Sequence, residues 1–192
     1  MSNAARRRIA EASLQLFNSR GYKSVTMREI AKHLGMSSKT LYAHFSSKEE
    51  IAEDVLDLLI EKIRIRTRDV LDMAGDPIVK LRKISSLIQL ELTTINPLLL
   101  RDISLYLPHL QENLSLRRKN QGLLIQELIR EGQAAGLIRK NIDPQMAAQA
   151  YLGIFQAAAN PRLTDHYAYS LHELLDFFIE VFFIGICEKQ QN

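Results

Sequence analysis

Residues 26–48 read TMREIAKHLGMSSKTLYAHFSSK, and this stretch restricts the possible folds more than any other. Thr26 is a helix-capping residue type, whose oxygen accepts the N–H two or three residues on, and Glu29 stands where it can reach back to the Thr26 N–H. Ile30, Ala31 and Leu34 then share one helical face. Gly35 follows, the residue type that most cheaply takes up the left-handed conformation ending a helix. Ser37 or Ser38 can cap a second helix after a turn of about three residues, the connection expected of a helix-turn-helix. Leu41 and Phe45, four apart, give that second helix an apolar stripe. Its other face carries Ser38, Lys39, Thr40, Tyr42 and His44, donors that could reach phosphates or base edges in a DNA major groove. Two short helices crossing steeply need a small residue where their backbones approach, and Ala31 supplies it. A helical hairpin inside an ordinary all-α protein has the same pattern, so the surrounding sequence has to decide.

Charge distribution points towards a polyanion. Residues 1–48 hold nine Lys/Arg (Arg6, Arg7, Arg8, Arg20, Lys23, Arg28, Lys32, Lys39, Lys48) against two acids (Glu11, Glu29), a net +7. Subtracting these from the chain totals of 25 bases and 22 acids leaves 16 and 20, a net −4. A basic head on an acidic body is the footprint of a polyanion-binding domain joined to something else, the alternative being chance clustering on a solvated face. One cysteine, Cys187, excludes an internal disulfide and fits a reducing compartment. The first 30 residues lack the apolar core of a signal peptide, since Arg6, Arg7 and Arg8 lead into a mixed helix. The apolar run 177–186 is interrupted by Glu180 and reaches about half the ~20 residues a membrane span needs. The expectation is a soluble cytoplasmic protein with no membrane contact.

Spacing predicts helices along the whole chain. Residues 6–20 keep Ile9, Ala10, Ala12, Ser13, Leu16 and Phe17 in helical register, and Gly21 ends the run. Arg6, Arg7 and Arg8 stand at its start, where the helix dipole disfavours cations, which suggests phosphate contact or a frayed, exposed end. Ser46 or Ser47 caps the next long helix, to about 73, with Ile51, Val55, Leu58, Leu59 and Val70 inward. Arg64, Arg66 and Arg68 alternate with Ile63, Ile65 and Thr67 at a period nearer two, but nothing nearby could pair as a strand. Further helices are expected at 77–95, 98–107, 108–135, 144–160 and 167–187, punctuated by Pro77, Pro97, Pro108, Pro144 and Pro161. The fold class expected is all-α, with about nine helices.

Residues 9–51, IAEASLQLFNSRGYKSVTMREIAKHLGMSSKTLYAHFSSKEEI, resemble the N-terminal DNA-binding domain of TetR-type (TetR/AcrR) transcriptional regulators. The shared features are Phe17, Gly21-Tyr22, Thr26-Met27-Arg28-Glu29-Ile30-Ala31, Gly35, Leu41-Tyr42, His44-Phe45 and Lys48-Glu49. The match spans roughly a quarter of the chain, and the rest carries no family signature. It implies a three-helix helix-turn-helix domain over 1–48 and a helical ligand-binding and dimerisation domain over 49–192. By the same resemblance, Thr26 and Arg28 touch phosphates. Ser37, Ser38, Lys39 and Thr40 open the recognition helix and meet base edges. Tyr42 and His44 contact phosphates or a base, and Lys48 holds a phosphate with the amides of the helix it opens. Plainer roles are a cap for Thr26, packing against the first helix for Tyr42, and partial burial for His44.

The resemblance also implies a small-molecule cavity in the body, whose occupation changes the spacing of the DNA-binding heads. Polar groups set in apolar helices are the candidate lining: Glu91, Thr94, Tyr106, His109, Asn120, Tyr151, Phe155, Gln156 and Asn160. Their surroundings suggest a lipophilic or aromatic effector. Arg117, Arg118 and Lys119 would instead favour an anion, or form a solvated charge run. The last helix is apolar almost all round: Leu171, Leu174, Leu175, Phe177, Phe178, Ile179, Val181, Phe182, Phe183, Ile184 and Ile186. Such a helix must be covered on every side. The helix before it offers Ala147, Ala148, Ala150, Gly153, Ala157, Ala158 and Ala159 for close approach, so the pair over 144–160 and 167–187 is the expected homodimer contact. An internal core helix is the alternative. Two recognition helices about 34 Å apart would match successive major grooves of a palindromic operator.

Catalysis finds no support. His33, His44, His109, His166 and His172 are scattered, and no HExxH, CxxC, Gly-rich phosphate loop or Ser nucleophile elbow occurs. No enzyme activity, metal or cofactor is expected. The expectation is a repressor released by a small lipophilic effector, with a ligand-independent or activating DNA-binding regulator as the alternative.

Overall fold

The computed structural model describes residues 3–110, 119–158 and 169–187, with the side chains of 3, 119 and 120 excepted. Helices run over Asn3–Arg20 (α1), Met27–His33 (α2), Ser38–His44 (α3), Lys48–Leu71 (α4), Pro77–Thr93 (α5), Pro97–Tyr106 (α6), Lys119–Ala134 (α7), Pro144–Ala158 (α8) and Leu171–Ile186 (α9). The described residues contain no strand, and a single isolated antiparallel bridge joins Ile138 to Cys187. The fold is all-α. Arg64, Arg66 and Arg68 stay within α4, because a period-two stretch with no neighbouring edge has no sheet to join.

Helix ends obey local chemistry. Thr26 and Glu29 form a complete capping box on α2, and Ser37, rather than Ser38, caps α3 through the Thr40 N–H. Asn96 caps α6 ahead of Pro97. The last helix, expected from about 167, starts at Leu171, where Ser170 and Glu173 form a second capping box. The expected helix ends at 73 and 95 fall instead at Leu71 and Thr93. Arg117, Arg118, Asn160 and His166 lie outside the described residues.

The chain divides into two compact units: residues 1–64 with 94–111, and residues 65–93 with 112–192. Residues 49–64 and 94–111 therefore group with the basic head by backbone contact. In the first unit Ile9, Phe17, Val25, Ile30, Leu41, Phe45, Ile51 and Val55 are buried among α1 to α4. Phe17 and Tyr22 meet edge to face, centroids 5.4 Å apart. The α6 segment packs on α1 through polar ties: Asn18 Oδ1 accepts from Asn96 N at 2.6 Å, and Asn18 Nδ2 donates to Thr94 O at 3.1 Å. Asp102 accepts from Lys23 N at 2.7 Å. Gly21 (φ +79°) is needed here twice over, since a Cβ would also stand 2.8 Å from Asp102 Oδ2.

In the second unit α7 packs on α8 and α5, and α9 packs on α8 and α5. Its core includes Leu81, Ile84, Ile125, Ile129, Ile138, Tyr151, Leu175 and Phe183. The buried Tyr151 hydroxyl donates to Leu81 O at 3.0 Å and lies 2.9 Å from Ser85 Oγ. Burial pushes this phenol well above its ordinary pKa.

Candidate nucleic-acid interface

The α2–turn–α3 pair is anchored by Ile30, Ala31 and Leu41, all buried, and bent at Gly35 (φ +66°). That leaves Thr26, Arg28, Ser37, Ser38, Lys39, Thr40 and Tyr42 exposed. Their surroundings differ. Thr26 Oγ1 accepts from Glu29 N at 3.2 Å and donates to Glu29 Oε2 at 2.8 Å, so it is occupied as a cap. Ser37 Oγ accepts from Thr40 N at 3.0 Å and lies 2.8 Å from Thr40 Oγ1. Ser38, Lys39 and Tyr42 point no polar atom at another described residue, and Tyr42 is 54% exposed. His44 is half-buried, and its Nδ1 is enclosed without a hydrogen-bond partner among the described residues.

Geometry sorts the nine cations of residues 1–48 into two groups. Arg7 pairs with Glu11 at 2.9 Å and Arg20 with Glu29 at 2.9 Å. The Lys23 ammonium lies over the Tyr106 ring, 4.9 Å from its centroid. Arg6, expected either at a phosphate or on a frayed, exposed end, faces inward. Its Nη1 donates to His44 O at 2.8 Å and to Glu50 Oε1 at 2.7 Å, while Nε and Nη2 hold Asp54 at 3.1 and 3.0 Å. The guanidinium also stacks on Phe45, 4.1 Å from the ring centroid. Hydrogen bonds from Arg6 and then Ser46 hold the Glu50 carboxyl below its ordinary pKa.

Lys48, also expected at a phosphate, is turned towards the α1–α2 connection. Its Nζ donates to Tyr22 O at 2.9 Å, Val25 O at 2.8 Å and Lys23 O at 3.4 Å, and lies 4.2 Å from the centroid of the Tyr22 ring. An ammonium has three donors, and three carbonyls occupy them. Burial lowers its pKa, against the opposing charges of Asp102 and Glu29. Among the described residues Arg8, Arg28, Lys32 and Lys39 have no ion pair, side-chain hydrogen bond or ring contact, and all four are exposed. Lys32 was not among the sequence-derived site residues. Its spacing four residues after Arg28, away from Ile30 and Ala31, was the available signal.

The candidate effector residues divide between the units. Thr94, Tyr106 and His109 belong to the first and are exposed there, with His109 Nε2 at 2.7 Å from Glu49 Oε1. Glu91, Tyr151, Phe155 and Gln156 belong to the second. Glu91 is buried, with Arg66 Nη1 at 2.6 Å. Tyr151 and Phe155 are buried and meet edge to face at 5.4 Å, whereas Gln156 is exposed. Asn160 and the side chain of Asn120 are outside the described residues. An open cleft of about 540 Å³ in the second unit is lined by Gly136, Ile138, Arg139, Lys140 and Asn141, and by none of these candidates. Among the described residues no helix is long and apolar enough to cross a membrane, and no cluster of His, Cys, Asp and Glu could hold a metal.

A capped helix-turn-helix with unpaired cations on its outer face, joined to an all-helical body, defines a helix-turn-helix transcriptional regulator. Residues 9–55 match the sequence model of the bacterial regulatory proteins of the tetR family. The HTH-type transcriptional repressor KstR2 of Mycolicibacterium smegmatis is 30% identical over 139 residues, 70% of this chain and 68% of that one. YvaF of Bacillus subtilis, an uncharacterised HTH-type transcriptional regulator, is 25% identical over 186 residues, 96% of this chain and 97% of its own. Among solved structures, a transcriptional regulator of Saccharomonospora viridis in complex with choline aligns with a TM-score of 0.79 at 23% identity, over 98% of this chain and 100% of that one. The chain belongs to the TetR family of bacterial transcriptional regulators.

Proposed function

We propose that the protein is a dimeric repressor that reads a palindromic operator through α3 and is released when a small lipophilic effector binds its body. The observation that carries the DNA-reading part is the exposed, unpartnered face of α3 (Ser38, Lys39, Tyr42), flanked on α2 by the unpaired Arg28 and Lys32. Lys39 and Tyr42 reach base edges or phosphates, and Arg28 and Lys32 supply sequence-independent attraction. Thr26 and Ser37 present their outer atoms to the backbone while capping, Thr40 stands beside Ser37, and His44 lies at the rim. In this reading residues 1–48 hold the DNA contacts, and 49–192 hold the effector and dimer contacts. A regulator that acts on chromosomal DNA would act in the cytoplasm.

Two apolar surfaces support dimerisation through α8 and α9. Phe177, Val181 and Ile184, spaced along one face of α9, are 64%, 51% and 71% exposed, although Leu175, Phe183 and Ile186 of the same helix are buried. On α8, Met146 is 73% exposed. A second copy related by a two-fold axis covers the stripe with its own equivalent. The effector needs only to prefer the DNA-incompetent state by a few kcal/mol, on the order of typical coupling energies. The lipophilic preference follows from the apolar helices around Tyr151 and Phe155.

Selection of bound duplexes from a random-sequence library tests the reading directly. The survivors should share a dyad-symmetric site with half-site centres about one helical turn apart. Failure to retard any duplex from its own genome at ordinary ionic strength, with or without extracted small molecules, would remove the regulator mechanism. A selected site without dyad symmetry would remove the dimer.

A further inference from the structure

We propose that Arg6 and Lys48 are positioning residues of the DNA-reading unit: they fix the two turns that flank α2 and α3, and do not contact phosphate. The proposal rests on the reading of α3 as the DNA-reading helix. All of its parts lie within the first compact unit. At one flank, Lys48 in the first turn of α4 holds the carbonyls of Tyr22, Lys23 and Val25, the segment that leads into the Thr26 cap of α2. At the other flank, Arg6 from α1 holds His44 O, the last residue of α3, and also Glu50 and Asp54 of α4. Glu50 completes this flank with its second oxygen, which accepts from Ser46 N at 2.7 Å and from Ser46 Oγ at 2.9 Å. The turn between α3 and α4 is thereby tied on both sides of one carboxylate.

Donor geometry decides between strut and phosphate ligand. The Arg6 fork makes four hydrogen bonds here, on three different groups, with Phe45 against its flat face. A guanidinium has five N–H donors in a rigid plane, so turning it towards DNA would break most of this set at once. The Arg6 side chain is 31% exposed, against 66% for Arg7 next to it. Meanwhile Arg8, Arg28, Lys32 and Lys39 stand exposed with nothing to release. The unit therefore separates its cations by task. Inward ones set the pose of α2 and α3, and outward ones meet the polyanion.

The strut predicts a sign opposite to simple electrostatics. Glu50→Gln removes a negative charge from a DNA-binding unit, which by charge alone should tighten DNA. If Glu50 and Arg6 position α3, the same change weakens specific binding. The full-length chain and its Glu50→Gln, Arg6→Lys and Lys48→Gln variants would be titrated by fluorescence anisotropy against two duplexes. One is selected from a random library by the wild-type protein, and the other is a random-sequence duplex of equal length. Temperatures stay below each variant's own thermal midpoint. The expected result is a loss of about tenfold or more on the selected duplex, the order of one lost base contact, with little change on random DNA. The salt slope should stay at the wild-type value, because no phosphate contact is removed. Arg6→Lys keeps the charge but not the fork, and should fail like the others.

Retention of full preference by Arg6→Lys overturns the proposal, as does tighter binding of both duplexes by Glu50→Gln. A salt slope smaller by about 0.9 per head for Lys48→Gln also overturns it. If Glu50→Gln does not fold, Asp54→Asn takes its place, since it weakens two of the four bonds that hold the Arg6 fork, and an unchanged preference there is equally fatal. Absence of any preference in the wild-type protein would instead sink the DNA-reading proposal on which this one rests.

Discussion

Ionic strength is the perturbation that most sharply separates a count of charges from a structure. Each phosphate neutralised on duplex DNA contributes a slope of about 0.9 in log affinity against log salt. Nine cations per head, all on phosphates, would give a dimer a slope near −16 by this rule. Geometry leaves four: Arg8, Arg28, Lys32 and Lys39. Arg7 and Arg20 already neutralise Glu11 and Glu29 at 2.9 Å each, so moving them to a phosphate would bare a carboxylate beside the DNA. Arg6 and Lys48 face inward, and Lys23 sits on Tyr106. Twice four contacts give the proposed dimer a slope of about −7, or about −5 where Lys39 meets a base edge alone, a loss of roughly forty- to a hundredfold in affinity between 100 and 200 mM salt. Fluorescence anisotropy of a labelled operator duplex, titrated at five or six salt concentrations, reads this slope directly. A value steeper than about −10 would mean that the paired and inward cations leave their partners on DNA, and the sorting of cations would be wrong.

Two further outcomes follow from the exposed surfaces. Ile184→Asp puts a carboxylate into the proposed α9 contact, where burying an unpaired ion costs several kcal/mol, on the order of two such penalties per symmetric dimer. Sedimentation should show a monomer at micromolar concentration with much weaker operator binding, and a persisting dimer would move the contact elsewhere. Lys39→Ala should cost about 1–3 kcal/mol on the selected duplex and relax the preference at one base position. Equal losses on selected and random duplexes would refute base reading by Lys39.

Much of the DNA-binding unit was legible from one stretch. The Thr26–Glu29 box, the Gly35 bend, the Leu41–Phe45 stripe and the all-α class follow from spacing within a few residues. Gly21 was legible as a helix end but not as the place where Asp102 comes within 2.8 Å of a would-be Cβ, because Asp102 lies 81 residues on. The effector residues were the least legible. Polar residues in apolar helices were gathered by type, yet Tyr106 and His109 group with the head, while in the other unit Tyr151 is tied to Leu81 O and the buried Glu91 to Arg66. A polar residue's use depends on what its tip meets, which helical spacing does not encode.

By itself the amino-acid sequence determined where helices begin, bend and end, and which short segment carries the basic excess. These depend on caps, glycine conformations and apolar periodicity that act over three or four residues. Only the tertiary structure decided which cations remain available to DNA. Arg6 finds His44 O across 38 positions and Asp54 across 48, and Lys48 finds Val25 O across 23. The energy of an ion pair depends on separation in space, so identical charges with near-identical local sequence, such as Arg6 and Arg8, meet different surroundings.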